Sequence, residues 1–252
     1  MAPLFPSLFF CVAVSGKSIK LDFQVVELSH DPLHPRDNPR PRALNLPLYN
    51  DFPHQPPTSL SVLLDTGSTD LWLPSHTSPA CAPNCPPGTW DPSAFTTAID
   101  INIPYNATFG STPDNPMLGK YYNDTVSLGG VDLANQTFAL AEVVPINYNA
   151  GHWGILGMGS KFMSSAYMDP WGPVYHDADK APLPVWLHLY DAGVIEKKMF
   201  SVWLNAQNAS TGSVLFGGVD ESKFEGGLMS TLVLLQRPAR LFTGWFDDGG
   251  SC

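Results

Sequence analysis

Val62-Leu63-Leu64-Asp65-Thr66-Gly67-Ser68-Thr69-Asp70-Leu71-Trp72 is the stretch that decides how this chain is read. Three apolar residues run into an acid, a glycine-containing turn follows, and the chain then becomes apolar again. Asp is among the residues least often buried unless paired, so an apolar strand that ends in Asp65 needs a chemical reason for doing so. Gly67 lets the backbone turn sharply. Thr66 and Ser68 bring hydroxyls that are expected to hydrogen-bond the loop and the carboxylate, which favours its ionised form.

The rest of the chain fits a mostly-β protein. Its 252 residues suffice for one large all-β domain or two smaller ones, and 44% hydrophobic content supports a real core. Twenty-five prolines and 21 glycines punctuate β-branched and aromatic runs, the pattern of short strands with many turns and few helices. With a formal net charge of -10 the overall field repels a phosphate backbone, which argues against nucleic acid as a partner.

Residues 1–16 read as a secretory signal, an apolar run ending in small residues with Ala13 and Ser15 placed as at a signal-peptidase site. Two prolines and the lack of a preceding Lys or Arg leave a mis-assigned start or a buried strand as the alternative. No later run reaches the ~18 apolar residues of a membrane helix, so no spanning segment is expected. Four Asn-x-Ser/Thr sequons, at Asn106, Asn123, Asn135 and Asn208, agree with a secreted or cell-surface glycoprotein and place those segments at the surface.

Cys11 would leave with the signal. Cys81 and Cys85 enclose Ala-Pro-Asn, and in a secreted chain a local disulfide is the natural reading. So small a ring is worth only ~2 kcal/mol, enough to pin a surface loop but not to hold a fold. Cys252 is left at the last position without a partner.

Residues 17–58 form an N-terminal segment: a strand-like piece at 19–26, then a linker or propeptide from His30 to Arg42. Arg36, Arg40 and Arg42 are either solvated linker charges or a processing site. Strands are expected near 61–64, 71–73, 99–105, 121–128, 136–144, 200–204, 213–216 and 228–235. Pro184 to Gly193 is the best helix, with apolar residues every three to four positions and Gly193 as its stop. The chain has no internal repeat.

Other sequence blocks extend the Asp65 pattern in a fixed order. Pro56-Pro57 precedes the strand; Trp153-Gly-Ile-Leu-Gly-Met-Gly159 is an apolar-apolar-Gly block; Phe200-Ser-Val-Trp-Leu204 and Gly212-Ser-Val-Leu-Phe-Gly-Gly-Val-Asp220 form a hairpin pattern. Together with Asp65-Thr-Gly67, Ser68 and Asp70-Leu-Trp72, these resemble the pepsin-like aspartic endopeptidases, in particular the secreted fungal, yapsin-like type, over about 53–235. A lone Asp-Thr-Gly would be weak, since Asp-Gly-type turns are common; the ordered combination is specific.

The resemblance implies a bilobal pepsin-like acid protease fold with the first lobe at 59–198 and an incomplete second lobe opening at 199–252. In that fold the Ile-Leu-Gly block crosses the Asp-Thr-Gly loop to make a psi-shaped knot of strands. The implied activity is endopeptidase hydrolysis of peptide or protein substrates by a monomer without a cofactor, since water is the nucleophile. Asp65 would be catalytic, with Thr66, Gly67 and Ser68 supporting its loop and Trp72, Phe109 and Gly110 shaping the cleft and flap. The family's flap carries a Tyr before a Gly-x-Gly-Ser turn. Here Phe109 stands in its place before Gly110, with Tyr105 as the flap residue in an alternative register.

One element of the pattern is missing. The mechanism needs two carboxylates sharing one proton, one to take a proton from water and the other to give one to the carbonyl oxygen; pepsin is the established example of such a dyad. A second Asp-Thr-Gly or Asp-Ser-Gly should follow the Phe216-Gly-Gly block, and none occurs in the 32 residues after Asp220. Asp248-Gly-Gly-Ser251 is no substitute: Phe246-Asp247 is not an apolar pair, Thr is absent and no strand follows. The chain by itself is therefore expected to be inactive.

Two other readings stand beside this one. The first is a non-catalytic secreted glycoprotein that uses one lobe to bind peptide or protein, and the second is a homodimer contributing two copies of Asp65. Other chemistries find no motif: there is no His-Glu-x-x-His metal pair, no Gly-x-Ser-x-Gly nucleophile elbow and no phosphate-cradling glycine loop before a helix.

Overall fold

In the computed structural model the described residues are 17–27, 42–50, 58–79, 89–109, 116–144, 154–206, 209 and 211–228. Residues 1–16, read as a signal, together with Cys81, Cys85, Gly110, Asn208, Cys252 and the Asp248 region, lie outside them. The strands among these residues are, in chain order, β1 (Ile19–Glu27), β2 (Arg42–Asn50), β3 (Thr58–Asp65), β4 (Leu71–Pro74), β5 (Ile99–Ala107), β6 (Met117–Leu128), β7 (Val131–Val143), β8 (Gly154–Gly157), β9 (Phe200–Trp203) and β10 (Thr211–Phe216). Two helices accompany them, α1 (Ser165–Met168) and α2 (Val185–Asp191). The architecture is mostly β, as the proline and glycine punctuation requires.

The strands hydrogen-bond in the order β5-β6-β7-β4-β8-β3-β2-β1-β10-β9. The longest pairing is the β6–β7 hairpin, whose two-residue turn is Gly129-Gly130 with φ of 60° and 79°. Both values lie in the left-handed region that a two-residue hairpin turn with matching twist demands and that glycine enters without a Cβ penalty. Tyr121, Phe138 and Leu140 are buried along this hairpin. Gln136 on β7 then anchors α2: its Nε2 donates to the Leu183 carbonyl at 3.1 Å and to the Thr137 carbonyl at 2.7 Å. Its Oε1 is thereby left to accept from His188 Nδ1 at 2.9 Å.

The α2 reading is shorter at both ends than the sequence pattern suggested. Pro184 sits at the N-cap with extended backbone, and Gly193, with φ of 69°, lies just beyond the C-terminus. A proline at the start and a glycine past the end stop a helix for the same steric reasons, a fixed φ in one case and free access to positive φ in the other.

The core divides into two clusters. In one, Trp90 packs its ring on Phe95, Tyr122 and Phe138 with centroids 5.6, 5.3 and 4.9 Å away. Geometries of this kind are worth ~0.5–1.5 kcal/mol per pair beyond area burial. The other gathers Leu63, Trp72, Tyr105, Tyr121, Ile155 and Ala166 directly beneath the Asp65 loop.

Two segments depart from the sequence reading. Residues 42–50, part of the N-terminal segment 17–58 and not expected to form a strand, make up β2, which pairs with β3 from Asn50↔Thr58 to Asn45↔Leu63 and with β1 on its other side. The 17–58 segment thus contributes two strands to the sheet, and β1 also pairs with β10, from Ile19↔Phe216 to Gln24↔Thr211. Of the strand expected near 228–235 only Leu228 is among the described residues, where it is irregular and two-thirds exposed; 229–235 lie outside them. Finally, the 3-10 turn Lys161–Met163 and α1 fill a segment for which the sequence offered no periodicity.

Candidate active site

Asp65 is the last residue of β3, and its position follows from the crossing of three strands. β8 lies between β3 and β4, parallel to the first (Leu64↔Leu156, Asp65↔Gly157) and antiparallel to the second (Leu71↔Leu156, Trp72↔Ile155). The chain therefore leaves β3, loops through 66–70 and returns as β4 on the far side of β8. This is the psi-shaped arrangement that the resemblance implied.

The loop is held by its own carbonyls. Met158 N–H donates to the Asp65 carbonyl at 2.8 Å, Gly159 N–H to Ser68 at 2.8 Å and Gly157 N–H to Asp70 at 3.1 Å. Thr69, almost wholly buried, returns a bond from its Oγ1 to the Ser160 carbonyl at 2.7 Å. So close an approach is possible only because residue 157 has no side chain: a Cβ there would stand 2.3 Å from the Thr69 carbonyl carbon.

The Asp65 carboxylate is half-buried, and its Oδ1 accepts from the Gly67 N–H at 2.8 Å. Here the structure corrects the sequence reading, which gave that task to the Thr66 and Ser68 hydroxyls. Thr66 is exposed, while Ser68 Oγ is buried without a hydrogen-bond partner among the described residues. The turn folds the Gly67 amide back onto the carboxylate.

Asp65 opens onto a cavity of about 670 Å³ whose wall includes Ser68, Asp70, Trp72, Tyr105, Phe109, Met168 and Trp171. That volume falls within the range of ligand sites. Trp72 is buried and its ring centroid lies 6.4 Å from that of Phe109, which is half-exposed. Tyr105, 2% exposed, sets its ring edge-on to Tyr121 at 5.5 Å. Phe109 and Tyr105, the two alternatives for the flap aromatic, both reach this cavity.

Sequence reasoning named Asp70 only as part of the motif's continuation, and the structure gives it a distinct place. It is buried, and its Oδ2 accepts from Ser165 N–H, the first residue of α1, at 2.8 Å. The next N–H, that of Ala166, is taken by the Tyr121 hydroxyl at 3.3 Å, and that of Tyr167 by Ser164 Oγ at 3.2 Å. Three successive orphan donors of the first turn are thus satisfied by three different elements. Burial raises the Asp70 carboxyl above its ordinary value, against the opposing pull of the Ser165 bonds and the Tyr121 hydroxyl. Burial, joined by the nearby Asp70 charge, pushes the Tyr121 phenol well above its own. Met163, Met168, Asp169 and Trp171 on the cavity wall were missed altogether, because the 160–171 segment carries no pattern that marks a cleft.

Of the sequon asparagines, Asn106 is exposed on β5, Asn123 is half-buried on β6 and Asn135 is exposed on β7 with φ of 57°. Among the described residues no cluster of His, Cys, Asp and Glu could hold a metal ion, and no helix is long and apolar enough to cross a membrane.

An acid-bearing turn at the end of β3, carried in a psi-shaped crossing beside an open cavity, defines the pepsin-like class of aspartic peptidases. The family model for eukaryotic aspartyl proteases matches residues 55–242, and the chain belongs to that family. It is 32% identical over 190 residues to candidapepsin-4 of Candida albicans strain WO-1, an alignment covering 71% of this chain and 40% of that relative. Secreted aspartic protease 1 of Candida albicans strain SC5314 is 32% identical over 189 residues, covering 72% and 43%. Candidapepsin-3 of strain WO-1 is 30% identical, covering 72% and 42%. The chain thus spans about two fifths of the length of the curated relatives it matches.

Proposed function

We propose that this chain supplies the Asp65-bearing lobe of a secreted aspartic endopeptidase. The observation that carries this reading is the Asp65 carboxylate, oriented by the Gly67 amide on a loop pinned by β8 and facing a cavity large enough for an extended peptide. Residues 59–198 form the first lobe and 199–252 open the second. Family membership supports peptide bonds as the substrate class, and relatives named as secreted proteases support export, with 1–16 as the signal and a Cys81–Cys85 disulfide formed in an oxidising compartment. A monomer suffices for this design.

In the reaction, ionised Asp65 takes a proton from a water molecule as its oxygen attacks the peptide carbonyl carbon. A protonated carboxyl from a second lobe gives its proton to the carbonyl oxygen, and the resulting gem-diol then collapses with proton transfer to the leaving amine. Trp72 and Phe109 exclude water from one side of the bound peptide. These 252 residues hold a single Asp-Thr-Gly, so alone they cannot act as base and acid in one step.

The test is an assay on an unfolded protein at acid pH. The chain alone should be inactive, and supplying a second lobe with its own active-site Asp should restore cleavage that Asp65→Asn abolishes, a correctly placed acid or base being worth ~10²–10⁴-fold. Pepstatin-sensitive cleavage by the chain alone that is lost in Asp65→Asn would instead favour the homodimer. Specific peptide binding without cleavage, even in the presence of a second lobe, would favour the non-catalytic binding glycoprotein.

A further inference from the structure

β5 contributes Tyr105, Asn106 and Ala107 to the cavity wall; of these Asn106 is the exposed residue, and it heads the sequon Asn106-Ala107-Thr108. Its neighbour Tyr105 points inward, 2% exposed and packed on Tyr121. Successive strand residues face opposite ways, so Asn106 projects from the outer face of the same strand. β5 is an edge strand among the described residues, paired with β6 alone, so its other edge has no strand partner among them, and Asn106 itself is exposed. α1 packs against β5, and Trp171, 93% exposed, stands on the cavity wall just beyond α1.

The other described sequons are placed differently. Asn123 and Asn135 sit near one another on the β6–β7 hairpin, where Asn123 pairs with Thr137, the residue that completes the Asn135 sequon. Asn123 Oδ1 already accepts from Thr137 Oγ1 at 2.7 Å, and neither asparagine contributes to the cavity wall. Position therefore separates Asn106 from these two.

We propose that Asn106 carries an N-linked glycan that stands at the mouth of the cavity and acts as a size filter, admitting slender extended peptides and holding back folded proteins. In the modification, Asn106 Nδ2 loses a proton and bonds the anomeric carbon of an oligosaccharide, which leaves a polyprenyl pyrophosphate carrier as the carrier's phosphate takes the negative charge. The sugar grows away from Tyr105, so it narrows the entrance without filling the floor where Asp65 lies. It also shields the unpaired edge of β5, a position at which a free strand invites pairing with other chains. This inference rests on the secretion and cleft reading given above, and its test does not require catalysis.

The full chain is expressed through a eukaryotic secretory pathway as wild type, Asn106→Gln, Thr108→Ala and Asn135→Gln, each also carrying Trp171→Cys as a reporter at the mouth. Peptide mass mapping reads glycan occupancy. Labelling at residue 171 is then timed with N-ethylmaleimide and with a maleimide carried on a long polyethylene glycol. Asn106 should be occupied, and the large reagent should react several-fold more slowly than in Asn106→Gln, Thr108→Ala or wild type trimmed after folding with an endoglycosidase. The small reagent should react alike with all of them. An unoccupied Asn106 would overturn the proposal, as would equal rates with the large reagent, or an Asn135→Gln effect as large as that of Asn106→Gln. Failure of the peptidase reading would appear instead as lack of cleavage with a second lobe present, and would leave these labelling rates unchanged.

Discussion

Asp70 Oδ2 accepts a hydrogen bond from the Ser165 N–H at 2.8 Å, joining the end of the Asp-Thr-Gly loop to a helical turn 95 residues away in sequence. Both residues line the cavity onto which Asp65 opens. The carboxylate that caps α1 is thus also the residue that fixes the loop on which Asp65 is carried.

Burial of this carboxyl, which outweighs the opposing pull of the Ser165 bond, predicts an unusual pH dependence. The folded-state value of Asp70 is raised by burial, so the native state holds its proton more tightly than the unfolded chain. Its contribution is fully present below the ordinary value of 3.8 and is lost as pH rises through the higher folded value. Asp70→Asn keeps an acceptor for Ser165 and cannot ionise. The variant should match wild type in acid and exceed it in melting temperature towards neutral pH, as read by thermal unfolding across pH. An unchanged slope would mean that other groups govern the acid preference. Asp70→Ala should lose about 1–3 kcal/mol in acid, because the Ser165 N–H is left unpaired, and the deficit relative to wild type should shrink towards neutral pH.

Gly157→Ala should be severe. The added Cβ would stand 2.3 Å from backbone carbon of Thr69, which no rotamer change can relieve. Separation of β8 from the loop should cost about 3 kcal/mol or more, visible as a lower denaturant midpoint.

Thr69→Val keeps the shape and removes one bond, from Oγ1 to the Ser160 carbonyl. With the residue buried and the carbonyl left without that donor, a loss of about 1–3 kcal/mol is expected, measured by urea unfolding. A neutral result would mean that the backbone bonds alone hold the loop against the 158–160 segment.

Phe109→Tyr should be tolerated within about 0.5 kcal/mol, because the ring is half-exposed on the cavity wall and a hydroxyl there can reach water. In an enzyme completed by a second lobe it should maintain or raise turnover. Loss of several kcal/mol in thermal unfolding would place the ring edge in the core instead.

The sequence by itself determined the local features of this protein. An apolar run into Asp65, the glycine turn and the proline-to-glycine span of α2 all depend on neighbours a few residues apart, and side-chain periodicity records such neighbours directly. The ordered blocks also carried the family resemblance, and with it the psi-shaped crossing. What only the tertiary structure decided depends on residues distant in sequence. The inclusion of 42–50 in the sheet follows from pairing on both sides with β1 and β3. The orientation of the carboxylate by Gly67 in place of the Thr66 and Ser68 hydroxyls follows from the loop's path around β8. The burial of Asp70 against Ser165, and the bringing of Asn106 and Trp171 to the wall of one cavity, join segments far apart in sequence. An acid on the page reads as solvent-facing by default; only the elements that close over it determine whether it is hydrated, and hence its affinity for a proton.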